Sequence, residues 1–128
     1  MKILLAVDGS DYTKKMLAYL TTHSDLFSAN NSYTLLTVQA QLPPRARAAV
    51  GKETVETFHR EEAEKVLGPV TKFLLRHGID AKTVSKVGHA GEIISKTADS
   101  GKFDLVVMGS SAGGEAPKKF TGEPISVN

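Results

Sequence analysis

The chain contains no cysteine and no tryptophan, and aromatic residues make up only 6% of it. Without thiols there can be no disulfide framework, no thiolate metal site and no cysteine nucleophile; the absence agrees with a reducing cytosol, so the cytoplasm is the expected compartment. Charge of one sign is also not in excess. Lys and Arg number 16 against 14 Asp and Glu, a formal +2, without the basic surplus of a nucleic-acid binder, so no nucleic-acid partner is expected. Long apolar runs are missing too. Met1 to Val7 begins like a signal peptide, but Asp8 breaks the apolar run after the five residues Ile3 to Val7, and no other stretch could span a membrane. What remains, 128 residues with 41% hydrophobic, suits one compact domain with a core and is too short for two of ordinary size.

The most informative stretch is Leu105-Val106-Val107-Met108, an unbroken apolar run of strand length that reads as a central strand buried on both faces. It runs into Gly109-Ser110-Ser111-Ala112-Gly113-Gly114, where no side chain exceeds a hydroxymethyl and a ligand group can approach main-chain N–H donors. Ile3 to Val7 is a second buried strand. It hands over to Asp8-Gly9-Ser10, with Ser10 as N-cap of a helix from Asp11 that carries an apolar stripe of Met16, Leu17 and Leu20. Tyr33 to Ala40 is the next strand, reached by a right-handed βαβ crossover.

From Gln41 to Lys52 the sequence reads as a surface loop, since Pro43-Pro44 forbids helix, with a lid or partner contact as the other reading. A long helix follows from Glu53 to His77, with a kink expected at Gly68-Pro69 and a stop at Gly78. Ile79 to Val87 alternates apolar and polar residues like an edge strand with one covered face, and Ile93, Ile94, Thr97 and Ala98 mark a short helix ended by Gly101. The alternation of strands and helices predicts a three-layer α/β sandwich around a parallel sheet, with strand order 3-2-1-4. The chain is expected to form a single domain over residues 1–128, with a regular core to residue 109 and an irregular tail over 110–128.

Four pieces in this order carry a family resemblance: Leu5-Ala6-Val7-Asp8-Gly9-Ser10, Leu36-Thr37-Val38, Val87-Gly88-His89-Ala90-Gly91-Glu92-Ile93-Ile94, and Asp104-Leu105-Val106-Val107-Met108-Gly109-Ser110. Together they resemble a universal stress protein of the UspA type. The resemblance implies a flavodoxin-like, adenine nucleotide alpha hydrolase-like sheet, a cytoplasmic homodimer and, in one branch, ATP bound at the crevice between strands one and four, with Mg²⁺ only as the nucleotide's companion. Carried onto this chain, the nucleotide site would consist of Ala6, Val7, Asp8, Val38, Gly88, Met108, Gly109, Ser110 and Gly122. Asp8 would help hold the nucleoside, Val38 would line the adenine pocket, and a loop of form G-x-x-G-x9-G-[S/T] starting at Gly109 would wrap the phosphates.

Two departures bear on that function. Gly109 and Gly122 keep the family spacing, but Ala112 replaces the middle glycine and Glu123 the closing hydroxyl residue, which places a carboxylate where a phosphate oxygen should be held. Relatives continue with a further helix and a fifth strand; here that strand is expected to be missing or reduced to Pro124-Ile125-Ser126-Val127, which would leave the edge of the 105–108 strand unpaired. The segment after about Ser111 is expected to be disordered, or ordered only by a partner.

Other chemistries find little support. Asp8 could equally serve only the turn into its helix. His89 has no serine, cysteine or second acid fixed beside it by spacing, and His23, His59 and His77 show no metal-binding pattern, so neither a catalytic residue nor a metal site is assigned. Gly109 to Ala116 has P-loop glycine spacing but Glu115 stands in the lysine position. Two functions therefore stand: a regulatory domain binding an adenine nucleotide with at most slow hydrolysis, or a homodimeric stress-response interaction module that binds none.

Overall fold

The computed structural model describes residues 1–110 and the backbone of 124–126. Strand β1 (Lys2–Val7) leads to helix α1 (Asp11–Thr22) and strand β2 (Ser32–Gln39); helices α2 (Pro44–Val50) and α3 (Lys52–Arg76) precede β3 (Lys82–Val87); α4 (Ala90–Ser100) precedes β4 (Leu105–Gly109), and β5 (Pro124–Ser126) ends the order. The sheet is parallel throughout, ordered β3-β2-β1-β4-β5. This is the expected three-layer α/β fold around a 3-2-1-4 core.

Strand alternation sorts the core into two layers. Ile3, Leu5 and Val7 of β1 join Leu35 and Val107 beneath Met16 and Leu20 of α1 and Val70 and Leu74 of α3. Leu4 and Ala6 point the other way and join Leu36, Val106 and Met108 beneath Ile94 and Ala98 of α4. Because α1 and α3 lie on one face and α4 on the other, the winding reverses between β1 and β4. In register terms the reversal falls where Ala6 stands beside Met108 and Val7 beside Gly109.

Several local expectations need correcting. The 41–52 segment contains a helix, α2, because Pro43-Pro44 forbids helix before the pair and not after it. Pro43 is extended (φ −56°, ψ 147°), as a residue preceding proline must be, and Pro44 enters at the first helical position, where its missing N–H costs nothing. Gly51, at φ +88°, then breaks α2 from α3. The long helix itself is as expected: α3 runs from Lys52 to Arg76 with Pro69 inside it, and Gly68 before it offers no Cβ to the proline ring. The third strand begins at Lys82; Ile79 and Ala81 are buried ahead of it, while within it only Val84 is half-covered. Finally, the edge of β4 is paired. β5 is reduced to three residues, with Val106 beside Pro124, Val107 beside Ile125 and Met108 beside Ser126. The expectation of disorder after Ser111 lies outside the described residues, apart from this strand. At the opposite end of the sheet the Tyr33 hydroxyl donates to the Ser28 carbonyl at 2.7 Å, and burial pushes the phenol above its ordinary pKa.

Candidate functional site

The carboxyl ends of β1, β2 and β4 meet the amino end of α4 around a crevice of about 290 Å³. Its floor is apolar: Ala6 and Leu36 from the central strands, with Val38 and Ala40 continuing the same face of β2 and Ile94 closing from α4. Asp8, Gly88, His89 and Ser110 stand on its polar side. Beyond Val87 the chain must turn at once into α4, and Gly88 does so at φ +148°, with its N–H bonded to the Gln39 carbonyl at 2.8 Å. A Cβ there would stand 2.6 Å from Ile93 Cδ1, a methyl that can swing aside, so it is the backbone conformation that calls for glycine.

The turn after β1 is built differently from the expected serine cap. Ser10 holds the N-cap position but its hydroxyl makes no cap. The work falls to Asp8 and Thr13. Asp8 Oδ1 accepts the Ser10 N–H at 3.0 Å, an Asx turn that fixes the carboxylate at the crevice. The Thr13 hydroxyl, on a residue 3% exposed, accepts the N–H groups of Asp8 and Gly9, each at 3.1 Å, and donates to the Gly109 carbonyl at 2.5 Å. One hydroxyl thus locks the ends of β1 and β4 together, side by side at the switch point. Sequence reasoning passed over Thr13, because a threonine in the first turn of a helix carries no signal of what lies across the sheet.

Thr13→Val keeps the shape and removes the hydroxyl, leaving two buried amides and a carbonyl without that partner. A loss of about 2 kcal/mol is expected, and Thr13→Ser should recover most of it. Thermal denaturation of both variants checks this; equal midpoints for Val and wild type would remove the lock from the account.

Of the residues expected at the site, Ala6, Val7, Asp8, Val38, Gly88 and Ser110 line this crevice. Met108 lies beside Ala6 in the sheet with its side chain in the buried α4-side layer, and Gly109 stands over Met16 of α1, so neither lines it. Gly122, like Ala112 and Glu123, lies outside the described residues. Leu36, Ala40, His89, Ala90 and Ile94 were not anticipated as lining; the apolar ones carried only a core signal. Among the described residues no group of histidine and carboxylate side chains is placed to hold a metal ion, and no helix is long and apolar enough to cross a membrane.

A doubly wound sheet with a ligand-sized crevice at its switch point defines an α/β protein of the kind that binds ligands beyond the carboxyl ends of its strands. The family is more particular than that. Residues 1–122 match Usp, the universal stress protein family, and the chain belongs to it. Among solved structures, the hypothetical protein MJ0577 superimposes with a TM-score of 0.77 at 21% identity, over 98% of this chain and 94% of its own. A universal stress protein family protein from Arabidopsis thaliana, At3g01520, with AMP bound, gives 0.65 at 17% identity over 100% and 92%. A universal stress protein in complex with cAMP gives 0.58 at 18% identity over 100% and 98%. A comparison with curated proteins gives no match.

Proposed function

We propose that this chain is a regulatory domain that holds an adenine nucleotide in the β1/β4 crevice, gripping the nucleoside better than the phosphates. The observation that carries the reading is the crevice itself: an apolar floor of Ala6, Leu36, Val38 and Ala40 next to the oriented carboxylate of Asp8. A flat, largely apolar base suits the floor, and the hydroxyls of a ribose are donors for a carboxylate. At about 290 Å³ the space lies at the lower end of ligand sites, enough for a nucleoside and not for a triphosphate as well. The relatives that hold AMP and cAMP support an adenine nucleotide as the class of ligand.

The phosphate side is the weak one. Asp8 repels phosphate, and in the family's phosphate-loop pattern carried onto Gly109 to Glu123, Ala112 adds a methyl group and Glu123 a second negative charge. Lys118 and Lys119 offset part of this only by giving up rotamer freedom. A dissociation constant weaker than about 100 μM, or some −5.5 kcal/mol, is expected for ATP with Mg²⁺. Asp8→Ala should weaken it further, and the double change Ala112→Gly, Glu123→Ser should tighten it about tenfold. Titration calorimetry on the three proteins tests this. Low-micromolar ATP binding by the unaltered chain would show that the two departures are harmless. The altered loop favours a second reading, a homodimeric interaction module without nucleotide, and absence of any heat with ATP, AMP or cAMP would select it.

A further inference from the structure

On the face of the sheet opposite α4, a groove of about 380 Å³ runs between α1 and α3. Each of these helices returns the chain to the start of a parallel strand, so the two run side by side in the same direction. α1 lines the groove at positions 10, 13–14 and 17, and α3 at 65–66, 69–70, 73 and 76, which is one face of each helix. The floor is apolar. Val70 is buried in it, while Leu17, Val66 and Phe73 pack on the core beneath and stay half-open to solvent above.

The charge around this floor is of one sign. Lys14, Lys65 and Arg76 line the groove, and among the described residues no Asp or Glu does. Lys14 reaches Asp11 of its own helix only at 4.0 Å, and Lys65 meets Glu62 at 3.0 Å, with the two lysine side chains 80% and 72% exposed. Pairs so exposed contribute little and are readily exchanged for another carboxylate. Arg76 has no carboxylate partner among the described residues; its guanidinium lies 6.0 Å from the Phe73 ring centroid, at the end of the apolar floor. From Lys65 to Arg76 is eleven residues, about 16 Å along α3, and Lys14 faces them from the other wall. One small anion cannot reach cations spread so far apart.

We propose that the α1/α3 groove docks an acidic amphipathic helix of a partner protein, with an apolar stripe flanked by Asp or Glu. The stripe covers Leu17, Val66, Pro69 and Phe73, and the flanking carboxylates accept from Lys14, Lys65 and Arg76. Main-chain accounting selects a helix over an extended segment. Both walls are helices whose N–H and C=O groups are spent on their own ladders, so a strand laid between them would find no partners, whereas a helix brings its own. A nucleic-acid backbone would meet the cations but leave the apolar floor uncovered. The inference is independent of the nucleotide reading, because no residue lines both spaces.

The test titrates the full chain into a fluorescein-labelled, end-capped peptide of about 16 residues, with Leu at helical spacing and Glu on both flanks, and reads fluorescence anisotropy. Saturable binding with a dissociation constant below about 100 μM at low salt is expected. Replacing the peptide's Glu by Lys, or its Leu by Ala, should weaken binding at least about tenfold. So should the paired reversal Lys65→Glu with Arg76→Glu at two exposed positions. Pro69→Glu should do the same: Pro69 is exposed in the middle of the groove, and its replacement sets a like charge there while returning an N–H donor to α3. Neither AMP nor a short duplex DNA should displace the peptide. Absence of saturable binding, equal affinity for the Lys peptide, displacement by AMP or by duplex DNA, or unchanged affinity in Pro69→Glu would each overturn the proposal. The Pro69 variant decides the matter should the double reversal fail to fold.

Discussion

Val106→Asp is expected to abolish folding. Val106 is 1% exposed and sits at the centre of the sheet, beside Leu4 of β1 on one side and Pro124 of β5 on the other, in the apolar layer beneath α4. A carboxylate placed there finds no water and no cation. Either it stays charged without solvation or it takes up a proton and buries an unpaired acid, and each costs several kcal/mol against a total stability of about 5–15. The same change at Val87, which is 40% exposed at the end of the edge strand, should cost less than about 1 kcal/mol. Circular dichroism and thermal denaturation of the pair make the comparison. A soluble Val106→Asp protein with an unchanged midpoint would refute the placement of this strand.

The reason this strand could be found from sequence also explains what could not. Leu105 to Met108 and Ile3 to Val7 are covered on both faces, so the sequence carries a continuous apolar signal and no alternation has to be interpreted. The edge strand is the opposite case. Ile79 and Ala81 are apolar because they pack under the end of α3, not because they alternate in the sheet, and reading them as strand residues moved its start three residues too early. α2 was hidden by a rule applied without direction: proline ends helices that come before it and begins those that follow. At the crevice, the chain-local pieces were legible, namely Asp8 after β1, Gly88 after β3 and Ser110 after β4. The lock between them was not. Thr13 and Gly109 are 96 residues apart, and nothing in either neighbourhood encodes their contact.

Gly109 also shows how a motif residue can have a different cause from the one first assigned to it. As part of a phosphate-wrapping loop it would be glycine so that main chain can meet a ligand; in the fold it is glycine because α1 crosses directly over it. A Cβ at this position would stand 2.8 Å from Met16 Cβ and 2.7 Å from Met16 Sδ. The sulfur can swing aside, but Met16 Cβ is fixed to the helix backbone, so α1 itself would have to lift from β4. Lifting it would also stretch the bond from the Thr13 hydroxyl to the Gly109 carbonyl that ties the end of β4 to the turn after β1. Gly109→Val is therefore expected to cost at least about 3 kcal/mol and to lower the thermal midpoint by roughly 10 °C or more, with or without nucleotide present. The ligand-approach account makes a different forecast, in which stability is kept and only nucleotide affinity falls. Thermal denaturation of the ligand-free variant separates the two: a midpoint within a degree or two of wild type would return Gly109 to the nucleotide loop, and a large drop assigns it to the packing of α1.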